Sequence, residues 1–190
     1  AFRPDPAAAR RLERTAAERG SLAPRHVWRP ACLTMWTGGT VGLFLPRIRE
    51  LYGDVPIRDI GLLASEGRMS VPLADGTPAG VAEITSNVLE FIPAEQIESD
   101  EPEVLPAWKV DAGGEYFLVL SNRSGLWRYS IDDRVRVTGH VGRSPVFEFL
   151  SKGLHTCSMT GEKITEHQVV AAMREAGRGL GRTVELFVVE

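Results

Sequence analysis

The sequence predicts an α/β protein in three unequal parts. These are an α/β layer, a β-rich middle forming a small antiparallel barrel or a strongly curved sheet, and the opening of a C-terminal α+β domain. Three observations predict this. Apolar runs near the N-terminus follow a strand, helix, strand order without clean alternation, the texture of strands covered on both faces. Short strand candidates between residues 69 and 150 are separated by turns rich in Gly and Pro. The last section joins an apolar-striped helix to a strong β run. The boundaries predicted are 1–67, 68–151 and 152–190.

The first helix is predicted from Pro4 to Ser21, with Pro6 early, alanines and arginines after it, and Gly20 as its stop. Pro24 and Pro30 interrupt the stretch between that helix and the first strand. Ala31–Trp36 is a short buried strand, Thr37-Gly38-Gly39-Thr40 a tight turn, and Val41–Tyr52 a helix with Pro46 near its start or kinking it. Pro56–Ala64 is the next strand. Met69–Leu73, Ala82–Thr85 and Leu89–Pro93 begin the β-rich middle, and the acidic stretch Glu95–Pro106 reads as a surface loop. Glu115–Asn122, Leu126–Tyr129, Val135–Thr138 and Pro145–Leu150 continue it, with Asp132-Asp133 as a turn between two strands. Val169, Val170 and Met173 stripe a helix over Glu166–Ala176, with Thr165 as a candidate cap and Gly177 as its end. Thr183–Glu190 is the closing strand. One helix and one strand cannot close a core, so the rest of that domain is expected beyond this chain.

Composition bounds the function. The 190 residues can bury a core, and 43% hydrophobic with 25% charged residues excludes a largely disordered chain. A net charge of -3 gives no overall basic character for nucleic acid or anionic membranes. No apolar run approaches a membrane span, and the N-terminus has no signal-peptide pattern. Cys32 and Cys157 are too far apart for a CxxC pair and are expected as buried, reduced thiols in a cytoplasmic protein, a disulfide being the alternative. Neither HExxH, GxSxG nor GxxxxGK[ST] occurs, which leaves no zincin, hydrolase elbow or P-loop.

Several residues carry chemistry, each beside a plainer reading. Asp133 has the short, fixed reach of a carboxylate that grips a ribose diol, or it caps a hairpin. Trp127 and Tyr129 form an aromatic face, for a ligand or for packing. Ser65 and Glu66, at the presumed C-terminal end of a strand, can donate to phosphate oxygens and hold Mg²⁺, or simply close a surface turn with Gly67. Gly38 and Gly39 admit a flat purine to bare backbone, or make an ordinary turn. Lys152 can pair with a phosphate, with Gly153 as a hinge, or lie in solvent. Lys163 can act alike, or salt-bridge to Glu162 or Glu166. His140 could border a pocket at a strand end.

The segments Trp36–Gly39, Gly61–Gly67, Glu90–Pro93, Glu115-Tyr116, Gly125–Tyr129 with Asp133, Val137–Gly139 and Gly161–Glu166 resemble, in order, landmarks of the GH3 superfamily of acyl-adenylate-forming enzymes. The likeness covers about residues 28 to 176 and looks closer to bacterial GH3-like proteins than to the plant hormone-conjugating branch. It implies part of an adenylate-forming fold. It also implies an ATP- and Mg²⁺-dependent enzyme that activates a carboxylic acid and transfers it to an amine. By the same resemblance Glu66 matches the magnesium-binding glutamate, Ser65 the hydroxyl near phosphate and acyl group, and Asp133 the ribose-binding aspartate. Gly38 and Gly39 match the adenine-facing loop, Lys152 the hinge, and Lys163 a lysine opening the mobile C-terminal domain. The chain departs from the pattern at Leu62-Leu63, where many relatives have Tyr-Gly, and at Ser130-Ile131-Asp132-Asp133, where they often read Arg-x-Gly-Asp. The family's phosphate loop and late C-terminal lysine are absent, so the chain alone is expected not to turn over. A non-catalytic GH3-like binding module is the alternative.

Overall fold

The computed structural model describes residues 3–153, 156–159 and 162–182. Helix α1, Pro6–Arg19, is capped as its sequence dictates. The Asp5 carboxylate accepts from the Ala7 and Ala8 N–H groups at 3.1 and 2.9 Å, and Gly20 ends the helix in the left-handed region. A single helical turn, α2 (Pro24–Val27), comes next. Here Pro24 starts a helix instead of breaking one, since a first helical position needs no N–H.

Strand β1 (Leu33–Met35) leads through a 3-10 segment, Gly39–Phe44, into α3 (Leu45–Tyr52) and then β2 (Ile57–Asp59). The predicted helix 41–52 is thus split. Pro46 cannot donate to the carbonyl of residue 42, so an α-helix cannot run through it, and the preceding turn winds tighter. β1 and β2 pair in parallel, Leu33 opposite Ile57 and Met35 opposite Asp59. This is the strand, helix, strand layer expected.

The predicted strand Pro56–Ala64 does not continue past Asp59. Gly61 has φ +81°, and a Cβ there would collide with the Ser70 carbonyl, so the chain turns at that point. Leu63–Ala64 (β3) and Gly67–Arg68 (β4) then make a minimal hairpin. Ser65 and Glu66 are the tip of that hairpin, which corrects their placement at the end of a parallel strand.

Seven antiparallel strands form the middle: β5 (Ser70–Pro72), β6 (Gly80–Ala82), β7 (Asn87–Pro93), β8 (Leu105–Pro106), β9 (Glu115–Asn122), β10 (Tyr129–Val141) and β11 (Ser144–Lys152), in the order β5-β6-β11-β10-β9-β7-β8. β5 and β8 stand at opposite ends of that order, so of the two predicted forms this is the sheet and not the barrel. Tyr116, Leu118 and Leu120 of β9 face one core with Phe91, Val135, Val137 and Phe147. Phe91 meets Tyr116 and Phe147 edge to face, each at 5.9 Å. Phe117 and Val119 point the other way, against Ile92, Ile97 and Val104. The acidic 95–106 stretch is therefore more than a surface loop, because its apolar residues cover the second face of the sheet.

One prediction in this region fails instructively. Asp132-Asp133 is not a turn between two strands. β10 runs through it from Tyr129 to Val141, and pairing with β9 passes from Ser130↔Val119 to Arg134↔Phe117, four residues against two. The surplus is a bulge, with Asp132 at φ +56°. Asp is a turn signal because it tolerates that conformation, and a bulge exploits the same tolerance. Leu126 and Trp127 precede the strand, and Trp127 is almost fully exposed. Arg128, also at positive φ, pairs with Glu90.

The hairpin β12 (Thr156–Met159) and β13 (Glu162–Thr165) leads into α4, Glu166–Leu180. α4 passes through the buried Gly177, the expected stop, and ends where Gly181 enters the left-handed region. It packs on the 39–44 segment, β11 and β13. The strand predicted at 183–190 lies outside the described residues.

Candidate functional site

The β10 bulge turns Asp133 inward while Asp132 stays exposed. Asp133 is 4% accessible and sits directly across from Lys152 of β11, whose Nζ lies 3.2 Å from its Oδ1. Burial pushes the Asp133 carboxyl above the usual range. Lys152 works against that through hydrogen bond and charge, and the charges of Glu66 and Asp132 add to the upward push. Directly beyond, the Gly153 N–H donates to the Asp132 carbonyl at 2.6 Å, and the chain turns with Gly153 at φ +62°.

Glu66 belongs to the same electrostatic group. Its carboxyl is held below the usual range by its own backbone N–H, by the Ser65 hydroxyl donating at 3.0 Å, and by the charge of Lys152. The Asn122 amide at the end of β9 donates to the Glu66 carbonyl at 2.7 Å, tying the hairpin tip to the sheet. Lys152 thus stands in the field of two carboxylates, one buried and one at the hairpin tip.

Asp133 and Lys152 border a cavity of about 350 Å³, whose walls also include Gly38, Gly39, Leu62 and Leu63. The structure therefore gathers Gly38, Gly39, Asp133 and Lys152 at one opening, with Ser65 and Glu66 next along the chain from its Leu63–Ala64 wall. Lys163 lies on β13 opposite Ser158, and its side chain falls outside the described residues. His140 is exposed one residue from the end of β10, opposite Pro145, and lines neither cavity. Cys32 is exposed, which corrects its expected burial, and its thiol is free; the Cys157 side chain lies outside the described residues. Among the described residues no group of three or more metal-ligating side chains converges, and no helix is long and apolar enough to cross a membrane.

Two contributors were not singled out from sequence. Buried Asp59, at the end of β2, accepts from the Thr37 N–H at 2.6 Å, the Thr37 hydroxyl at 2.7 Å and the Gly61 N–H at 2.7 Å. It fixes the glycine wall to the start of the hairpin. A carboxylate inside a largely apolar strand candidate was the available signal. Trp36 also lines the cavity, its indole N–H reaching the Gly61 carbonyl at 3.3 Å with the ring half exposed. It supplies an aromatic wall beside Leu62-Leu63.

Residues 81–152 match the GH3 family central domain. Indole-3-acetic acid-amido synthetase GH3.3 of Arabidopsis thaliana is 26% identical over 147 residues, covering 75% of this chain and 25% of that protein. Jasmonoyl--L-amino acid synthetase JAR4 of Nicotiana attenuata is 28% identical over 147 residues, covering 74% of this chain and 25% of its own length. The solved structure of AtGH3.15 acyl acid amido synthetase in complex with 2,4-DB superposes with a TM-score of 0.79 at 24% identity, over 94% of this chain and 31% of that one. The fold matches a segment of that structure. The chain is thus similar to GH3 acid-amido synthetases over about three quarters of its length. It spans about a quarter of the length of these two curated relatives.

Proposed function

We propose that this chain contributes the nucleotide-binding part of an enzyme that activates a carboxylic acid with ATP. A substrate carboxylate oxygen attacks the α-phosphorus, the bond to the β-phosphate oxygen breaks, and acyl-adenylate and pyrophosphate result. An amine then takes the acyl group and AMP leaves. The observation that carries the reading is the buried Asp133 at the rim of a glycine-walled cavity, charge-coupled to Glu66 at the neighbouring hairpin. In this reading Asp133 holds the ribose diol, Gly38 and Gly39 let the base approach the backbone, and Ser65 donates to phosphate or acyl oxygens.

Glu66 suits Mg²⁺. Its carboxyl is kept ionised by hydrogen bonds, and one carboxylate with nucleotide phosphates and water is the usual donor set for that ion. The ion would offset phosphate charge. Lys152 would supply a cation to the nucleotide once it leaves Asp133, with Gly153 the point where residues 152–190 turn as a mobile domain. Lys163, on the hairpin after that point, would join the site from the mobile side. The acid and amine acceptor would be small molecules, and a cytoplasmic location, where ATP is available, goes with this chemistry.

The test is ATP–pyrophosphate exchange in the longer protein that carries this segment, over a broad acid panel. Exchange lost in both Glu66→Ala and Asp133→Ala, with the variants folded, is the expected result. By itself the 190-residue chain is expected to release no pyrophosphate above a Glu66→Ala control. The rival reading is a GH3-like binding module without chemistry. It draws on Leu62-Leu63 and on Asp132, whose charge adds to the raised pKa of Asp133 and so opposes a bound polyphosphate. Absence of saturable ATP binding by calorimetry in the longer protein would favour that rival.

A further inference from the structure

A second cavity, of about 690 Å³, adjoins the first, and Gly38, Gly39, Pro78 and Phe149 belong to the walls of both. Its charge is one-sided. Arg49 of α3, Arg174 and Arg178 of α4, and Arg182 just past α4 line it, against one carboxylate, Glu148. That carboxylate already lies 3.7 Å from Arg136 on the sheet. The arginines' own counter-ions are weak. Arg49 is 3.9 Å from a fully exposed Asp54, and Arg178 is 3.4 Å from Glu175 with both side chains about 80% exposed.

Gathering guanidiniums at one opening costs repulsion in a chain whose net charge is -3. Helix ends attract Arg49 and Arg178, which lie in last turns, but Arg174 sits within α4 and has no such reason. The backbone is also shaped around Arg174. A Cβ at Gly42 would fall inside its guanidinium, so the 3-10 segment lies close beneath it only because residue 42 has no side chain.

We propose that this cleft binds a small organic anion with two or more phosphate or carboxylate groups, held between Arg49 and the arginines of and beyond α4. Guanidinium forks match the oxygens of both groups. The cleft shares its Gly38-Gly39 wall with the nucleotide reading, which uses none of these four arginines.

Calorimetric titration of the folded protein with tripolyphosphate in one arm and citrate in the other tests it and distinguishes the two sources of charge. Saturable binding of at least one probe is expected, weakened about tenfold or more by Arg174→Gln and by Arg182→Glu. Gly42→Ala, which displaces Arg174, is expected to weaken it alike. Arg182 is exposed and lies past α4, so its variant serves even where a substitution in α4 disturbs folding. Arg123→Gln, at an exposed arginine that lines neither cavity, is expected to leave the affinity unchanged. Undiminished binding in Arg182→Glu, loss of binding in Arg123→Gln, or no binding of either probe at about 1 mM overturns the proposal.

Discussion

Asp133 and Lys152 are register partners across β10 and β11, and their ion pair is the last rung of the ladder before the chain turns away at Gly153. One partner is buried and the other more than half exposed. The pair therefore couples the interior of the sheet to whatever position the segment after residue 152 adopts.

Removing the cation should expose the cost of burying Asp133. Lys152→Ala is expected to destabilise the chain at neutral pH by about 1–2 kcal/mol, less than for a fully buried pair because Lys152 meets solvent. The Asp133 carboxyl should move further up from its ordinary value of 3.8. A raised folded pKa means the folded state holds its proton longer, so this group's contribution to stability falls as pH rises through that window. Denaturant melts across pH should show the fall extending to higher pH in Lys152→Ala. Asp133→Asn in the same background should restore most of the loss, and a purely additive double variant would refute the coupling.

Glu83 works in the opposite sense. It accepts from the Ser86 hydroxyl and N–H, the Thr85 hydroxyl and N–H, and the Asn87 amide, and its carboxyl is pulled from 4.5 down to about 2, chiefly by Ser86 and Thr85. Its contribution is complete above pH 4.5 and is lost as pH falls toward 2. Glu83→Gln should flatten the acid limb of the stability profile and cost about 1 kcal/mol at neutral pH, discounted for exposure. An unchanged acid limb would remove Glu83 from the account.

Asp132 holds φ +56° in the bulge. Asp132→Gly should stabilise the chain by about 0.5–1 kcal/mol, because the left-handed backbone costs glycine nothing. Asp132→Val should destabilise it by more than about 1 kcal/mol, since a β-branched residue is the worst fit there. Thermal melts of the two variants should move in opposite directions.

Trp36 is the aromatic wall on the hairpin side of the smaller cavity. If a nucleobase stacks there, Trp36→Ala should weaken nucleotide binding about tenfold, while Trp36→Phe keeps most of it. Equal affinity in Trp36→Ala and the parent would leave Trp36 a rim residue without a ligand.

The legible and illegible parts of this molecule divide along a physical line. Helix α1 was readable from Pro6 and Gly20 because helix starts and stops act within a few residues of chain. Pro46 was placed near the start of its helix or at a kink, the 3-10 turn before it was not foreseen, and the apolar content of β7, β9 and β11 announced a sheet core. The bulge at Asp132 was not readable. An aspartate pair between apolar runs carries the same local signal whether the chain reverses or bulges, and only the continuity of β9 and β11 on either side selects the bulge. The hairpin at Ser65-Glu66 was misplaced for a related reason: Gly61 turns the chain because the Ser70 carbonyl leaves no room for a Cβ, a contact no local pattern records.

Residue chemistry and order along the chain were enough to nominate Gly38, Gly39, Ser65, Glu66, Asp133 and Lys152, because hydroxyl, carboxylate, ammonium and bare backbone are properties of single residues. Their convergence belongs to the fold. Pairing of β10 with β11 places Lys152 on Asp133, Asp59 ties the glycine wall to the hairpin, and Asn122 brings Glu66 to the edge of the sheet. All of those contacts but Asp59 to Gly61 join residues far apart in sequence, and charge coupling depends on distance in space, which only the packed sheet supplies.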